Sequence, residues 1–340
     1  MINHTLDQEK ILFKIYENIN KQLNPVDSAP LNVDELKNYC YYGIINEEIR
    51  PKYWKLFLGY VPKNKFKNER FLSERRRMYH HYYNEYCVNG GNEIDIIIDD
   101  DVERTMLLPM EVNETDNSMA QTCAFLDSIN KDSQSSILHR SAIKKILHTF
   151  RITNSSIGYV QGMHMVLIPI YYVFATSFNI EDRRYAEEDA YFCFFNLMTE
   201  IGENFIEKMD NDTNIGIKWK MKKVIELVKV HDKKTYDALK KKEILNNFFH
   251  FRWISLLFAQ EYKIDEVIWL WDRLLSDCSR FEMVLYCAAS VIISLKEFMI
   301  TESFENCMKK LQDTKKGNVK EMFYQAHELR KKDYNKHRNM

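Results

Sequence analysis

The 340-residue chain reads as an all-α protein, and three features point that way. Helix breakers are scarce, with nine glycines and six prolines, and every proline from Pro25 to Pro169 lies in the first half. A proline inside a helix removes a backbone donor and clashes with the preceding turn, so a second half without one is free to run in long helices. Apolar residues recur at helical spacing: Ile217, Met221, Val224, Leu227 and Val228 share one face, as do Val267, Leu270, Trp271 and Leu274. Val284, Cys287, Ala288, Val291 and Leu295 continue the pattern in a segment apolar nearly all round, as a central buried helix requires. No series of alternating β-branched runs separated by turns is present, and the short run Ile94–Ile98 after Gly90-Gly91 is the one exception.

Along the chain, residues 1–35 read as a polar lead-in, and helical patterning begins at Leu36. Asn113–Ser136 is rich in Asn, Asp, Ser, Thr and Gln and reads as a solvated excursion. Met163–Phe178, interrupted by His164, is the longest apolar stretch and too short to span a bilayer. The charged tail, Arg330–Met340, is expected to fray. Arg75-Arg76-Arg77 and Lys240-Lys241-Lys242 read as solvated helix faces rather than lipid contacts, since acidic residues interleave nearby.

Hydrophobic residues at 45% and charged residues at 29% give a soluble balance, and a net charge of −1 supplies no electrostatic footprint for nucleic acid. The seven cysteines (Cys40, Cys87, Cys123, Cys193, Cys278, Cys287 and Cys307) are odd in number and form no C-x-x-C pair, which fits reduced thiols in a cytosolic protein. Met1–Lys10 holds no apolar core of a secretory signal. Phosphate-loop, zinc-protease and nucleophile-elbow motifs are absent, so the chain shows no means of binding a nucleotide by itself.

Two segments carry candidate chemistry. In Ile98–Thr105 the consecutive aspartates Asp99-Asp100-Asp101 make a poor metal site, because adjacent side chains diverge. As a helical turn, Asp101 and Arg104 stand at i and i+3, close enough to pair, and a surface ion pair is the default reading. In Gly158–His164, two glycines flank Gln161 just ahead of an apolar helix, which suits either close approach by another molecule or a buried turn. His164 stands alone and suggests no metal. The tryptophans of Arg50–Leu56, Phe248–Trp253 and Trp269–Asp272 read as core packing.

Taken in order, R-P-x-x-W-x-L (Arg50–Leu56), I-x-x-D-x-x-R-T (Ile98–Thr105), Y-x-Q-G-M (Tyr159–Met163), F-x-F-R-W (Phe249–Trp253) and W-D (Trp271-Asp272) resemble the TBC domain of Rab GTPase-activating proteins. The similarity runs from about Leu36 to Leu329, and the C-terminal half looks most like the group called TBC domain family member 13. The resemblance implies a two-lobed, V-shaped helical domain over 36–330, with lobes of about 36–180 and 181–330 and a charged tail at 331–340.

It implies that Arg104 is an arginine finger and Gln161 a glutamine finger, offered in trans to a GTP-bound Rab. The protein would be no enzyme by itself but a GTPase activator. Asp101 would hold Arg104 for presentation, while Thr105, Tyr159, Gly162 and Met163 would shape the two catalytic segments. Arg50 and Trp54 are expected to pack the N-terminal lobe, and Arg252, Trp253, Trp271 and Asp272 the C-terminal lobe. No metal or cofactor of its own is expected, since GTP and magnesium would belong to the Rab. No nucleic-acid partner is expected, and membrane contact would be peripheral, through the Rab. Localisation would be cytoplasmic, transiently at endomembranes, in vesicle traffic. A non-catalytic Rab-binding effector or scaffold is the alternative. The chain departs from the family where asparagine usually follows Met163 and an acidic residue follows that, since it has His164 and Met165. Asn154-Ser155 stands where a proline commonly follows the asparagine.

Overall fold

The helical periodicities organise two cores. A computed structural model describes Glu17 and residues 32–43, 47–63, 68–88, 96–105, 120–133, 136–206, 215–313 and 317–338. Most of the lead-in and part of the polar segment after Asn113 lie outside these residues. The described residues fall into two compact units, one drawn from 1–110, 123–199 and 271–278, the other from 111–122, 200–270 and 279–340.

The helices in chain order begin with α1 (Val33–Tyr41), α2 (Arg50–Phe57), α3 (Asn68–Tyr82), which continues as a π-helical stretch Tyr83–Val88, and α4 (Ile96–Arg104). After α5 (Ala120–Leu126), strands β1 (Ile129–Asn130) and β2 (Ile137–Leu138) pair antiparallel, with Ile129 opposite Leu138. There follow α6 (His139–Thr153), α7 (Met163–Ala175), α8 (Ile180–Arg184) and α9 (Ala186–Ile201). Then come α10 (Gly216–His231), α11 (Lys233–Lys241), α12 (Phe251–Ser255), α13 (Ile264–Ser276), α14 (Glu282–Ser294), α15 (Lys296–Thr301), α16 (Phe304–Gln312) and α17 (Val319–Arg338).

In the first unit the long apolar stretch becomes the central helix α7, where every residue except Tyr172 is buried. Helices α2, α4, α6 and α8 pack on it. No helix among the described residues is long and apolar enough to cross a membrane. In the second unit α14 plays the central part: Met283 to Ile292 are all buried, and α10, α12 and α17 pack around them. On α10 the predicted face is buried at Ile217, Met221, Val224 and Val228, with Leu227 at its margin.

Five expectations change. Trp271 and Asp272 do not serve the C-terminal core: α13 runs across the boundary, and its last turns belong to the first unit. There Trp271 stacks on Trp54 at 6.0 Å, and the Asp272 carboxylate accepts from Arg50 Nε (3.1 Å), Tyr53 hydroxyl (2.6 Å) and Trp54 Nε1 (2.8 Å). Helical spacing marks a face as buried but cannot say against what. Arg252 and Trp253 do pack in the second unit, Arg252 pairing with the buried Glu261 at 2.5 Å.

The arginine run is not a solvated face. Arg76 pairs with the fully buried Asp189 at 2.8 Å, Arg75 lies 5.2 Å from the ring centres of Phe71 and Phe192, and only Arg77 is exposed. The tail does not fray over its described part: α17 continues to Arg338, and Asp333 receives the Tyr286 hydroxyl (3.1 Å) and lies 3.0 Å from His231 Nε2. The described part of the polar segment before Ser136 is not wholly solvated: it forms α5 and β1, with Thr122, Leu126 and Asn130 buried. The isoleucine run opens a helix instead of a strand, Ile98 turning inward while Ile96 and Ile97 face out.

Candidate functional site

Helix α4 sorts its side chains by face. Ile98, Asp101, Val102 and Thr105 are buried, at the i, i+3, i+4, i+7 spacing of one helical stripe. On the adjoining stripe, Glu103 accepts from Arg140 (2.7 Å) and Lys144 (2.8 Å) of α6, and Asp99 lies 3.1 Å from His148 Nε2. This ionic seam fixes α4 along α6. Arg140 also pairs with Asp127. The outward stripe carries Asp100 and Arg104, whose charged groups are 3.5 Å apart and more than half exposed.

The expected pairing of Asp101 with Arg104 is therefore not what the fold uses. Arg104 leans on Asp100, one turn back, a loose exposed pair of the kind worth little energy. Asp101 points the other way, toward the turn before α7. Its Oδ2 accepts from the Tyr159 hydroxyl at 2.6 Å and the Gly162 backbone N–H at 2.7 Å, and lies 3.1 Å from His164 Nδ1. A one-sided rotation of about 100° per residue explains the choice: neighbours on the helix surface face different partners.

The turn itself follows from its glycines. Gly158 sits at φ +67° and Gly162 at φ +95°, left-handed conformations that a side chain resists. Gly162 is the N-cap of α7 and brings no capping side chain, so Asp101 supplies the acceptor from another helix. Met163 is fully buried beneath the turn, with its sulfur 3.4 Å from the Val160 nitrogen. Gln161, between these anchors, is exposed. Thr105, the residue just past α4, places its hydroxyl on the Asp101 carbonyl (3.2 Å), and its own carbonyl accepts from Cys123 Sγ at 3.1 Å.

Burial by itself would raise the Asp101 carboxyl, yet the hydrogen bonds from His164, Tyr159 and Gly162 hold it well below the usual carboxylate range. The group is thus a fixed anion buried between two exposed side chains: Arg104 three residues along its own helix, and Gln161 between two of its three donors. Sequence reading missed His164, which looked like a lone histidine. Its only signal was a place five residues after Tyr159 in the first turn of a helix, too little to reveal a carboxylate partner. No group of histidine, cysteine and acidic residues able to hold a metal occurs among the described residues.

Arg50, Trp54, Trp271 and Asp272 stand together as the separate cluster described above, and Arg252 with Trp253 as a third; each is a packing arrangement.

The sequence model of the Rab-GTPase-TBC domain family matches residues 47–301. TBC1 domain family member 13 of Mus musculus is 39% identical over 191 residues, which are 56% of this chain and 48% of that protein. GTPase-activating protein GYP1 of Saccharomyces cerevisiae is 26% identical over 279 residues, 75% of this chain and 39% of that protein. The chain spans about half the length, or less, of these curated relatives. The crystal structure of the Ypt/Rab-GAP domain of Gyp1p superposes with a TM-score of 0.73 at 22% identity, covering 94% of this chain and 97% of that one. That last likeness is one of fold. With a family match spanning most of its length, and with Arg104 and Gln161 both inside the matched span, the chain belongs to the Rab-GTPase-TBC domain family.

Proposed function

We propose that this protein accelerates GTP hydrolysis by a Rab-family GTPase, inserting Arg104 and Gln161 into the partner's site. The observation that carries the proposal is the Asp101 clamp: one buried carboxylate fixes both segments from which exposed Arg104 and Gln161 project. Charge builds on the phosphoryl oxygens as the γ-phosphate leaves, and a guanidinium presented there lowers the barrier. The carboxamide of Gln161 has the donor and acceptor needed to orient the attacking water. The nucleotide and its magnesium enter with the GTPase, in its GTP-bound form. The names of GYP1 and of GTPase-activating protein GYP7 of Yarrowia lipolytica point to the same activity.

An arginine supplied in trans is worth about 10³–10⁵ in rate. Single-turnover hydrolysis by a panel of GTP-loaded Rab proteins, with this protein substoichiometric, should show stimulation. Arg104→Lys and Gln161→Ala should each abolish most of it while leaving the thermal midpoint unchanged. Stimulation of no Rab, or tight GTP-dependent binding without turnover, would replace this reading with that of an effector or scaffold.

A further inference from the structure

His164 occupies the first turn of α7, is buried, and faces the same carboxylate oxygen that holds Tyr159 and Gly162. An ionised carboxylate can only accept hydrogen bonds, so the nitrogen 3.1 Å from it, Nδ1, must carry the hydrogen. The Tyr159 hydroxyl oxygen lies 3.3 Å from this same Nδ1. Three donors therefore converge on Asp101 Oδ2, and the two besides His164 come from the residues that bracket Gln161 by two positions and by one.

From this convergence we infer that His164 is a positioning residue for Gln161, acting through Asp101. Its ring N–H directs Oδ2 toward the turn, and with Oδ2 so directed the carboxylate fixes the Tyr159 hydroxyl and the Gly162 amide together. Without that third donor the carboxylate keeps two partners on a backbone held by two glycines, and the turn carrying Gln161 is less sharply placed. Arg104, which pairs with Asp100 on the outward stripe they share, lies outside this chain of contacts. The inference rests on the Rab-activating reading for its kinetic consequence and on geometry alone for its structural one.

The test uses the whole protein and two readouts. In amide hydrogen exchange, His164→Leu should weaken protection of the Gly162 N–H by about tenfold, the worth of one charge-assisted hydrogen bond. His164→Asn should restore it, because the asparagine Nδ2 sits as far from Cβ as the histidine Nδ1 and also donates. In single-turnover hydrolysis with the Rab that wild type stimulates best, His164→Leu should slow the rate by about tenfold and His164→Asn by no more than about twofold. Placed on Gln161→Ala, His164→Leu should add almost nothing, since the finger it positions is gone; placed on Arg104→Ala, it should keep its full effect.

Equal slowing in both backgrounds, or an asparagine variant as poor as leucine, would overturn the inference. If wild type stimulates no Rab, the functional reading fails, and unchanged exchange at Gly162 in the leucine variant separately overturns the positioning role. Circular dichroism and the thermal midpoint establish that each variant is folded.

Discussion

Asp101 on α4 and Asp272 on α13 are both almost wholly buried, and each gathers three donors from segments distant in sequence. Their surroundings differ. The donors to Asp272 all come from α2, and two of them, Tyr53 and Trp54, are themselves fully buried. The donors to Asp101 come from the turn that carries the exposed Gln161 and from the first turn of α7 directly behind it. The carboxyls respond in opposite directions. Complete burial pushes Asp272 up, and Arg50, Tyr53 and Trp54 offset this only in part. At Asp101 the three hydrogen bonds outweigh burial and hold the group down. A carboxylate whose partners end in the core stabilises the fold, whereas, on the proposed reading, one whose partners bracket an exposed residue aims it.

That contrast can be broken by experiment. Asp272→Ala should cost the most, about 3–5 kcal/mol of unfolding free energy, because it leaves Arg50 without its carboxylate in a mostly buried site. Urea denaturation measures the loss, and hydrolysis per folded molecule should stay near wild type. A variant fully stable yet inactive would erase the distinction.

Asp101→Ala should invert the pattern. Misplacing a catalytic group by about 1 Å costs on the order of 10²-fold in rate, so single-turnover stimulation should fall by that much while stability drops by only about 1–3 kcal/mol. The hydroxyl pair sharpens the comparison at smaller scale. Tyr53→Phe and Tyr159→Phe each remove one hydrogen bond to a carboxylate, worth about 1.5–3 kcal/mol when the acceptor is charged. The first should appear in the denaturation midpoint and the second mainly in the hydrolysis rate.

The smallest effect is in pH. A depressed folded carboxyl contributes stability that is complete above the ordinary unfolded value and is lost as pH falls through the folded one. The stability gap between wild type and Asp101→Asn should therefore shrink by only roughly 0.3 kcal/mol between pH 7 and pH 4, then close at lower pH. Asp272 runs the other way, since a raised carboxyl contributes most below the unfolded value and loses that contribution as pH rises through the folded one. A gap for Asp101→Asn that had vanished by pH 5 would contradict the clamp.

Much of this was legible in the sequence. Helical spacing gave the buried faces of α10, α13 and α14, and the near absence of breakers gave the fold class, because both follow from local geometry. The order of the motifs marked Arg104 and Gln161. The sequence alone also determined that Gly158 and Gly162 would permit an unusual turn, since only glycine adopts those angles freely. It could not choose between Asp100 and Asp101 as the partner of Arg104, since both lie within helical reach. Nor could it tell that Trp271 and Asp272 join the first unit while Leu270 stays with the second. Those outcomes depend on which donors lie opposite a given stripe of helix, and these come from residues 58 to 222 positions away. Only the folded chain sets that opposition, and it decided that Asp101 serves the glutamine's turn while Arg104 is left to project.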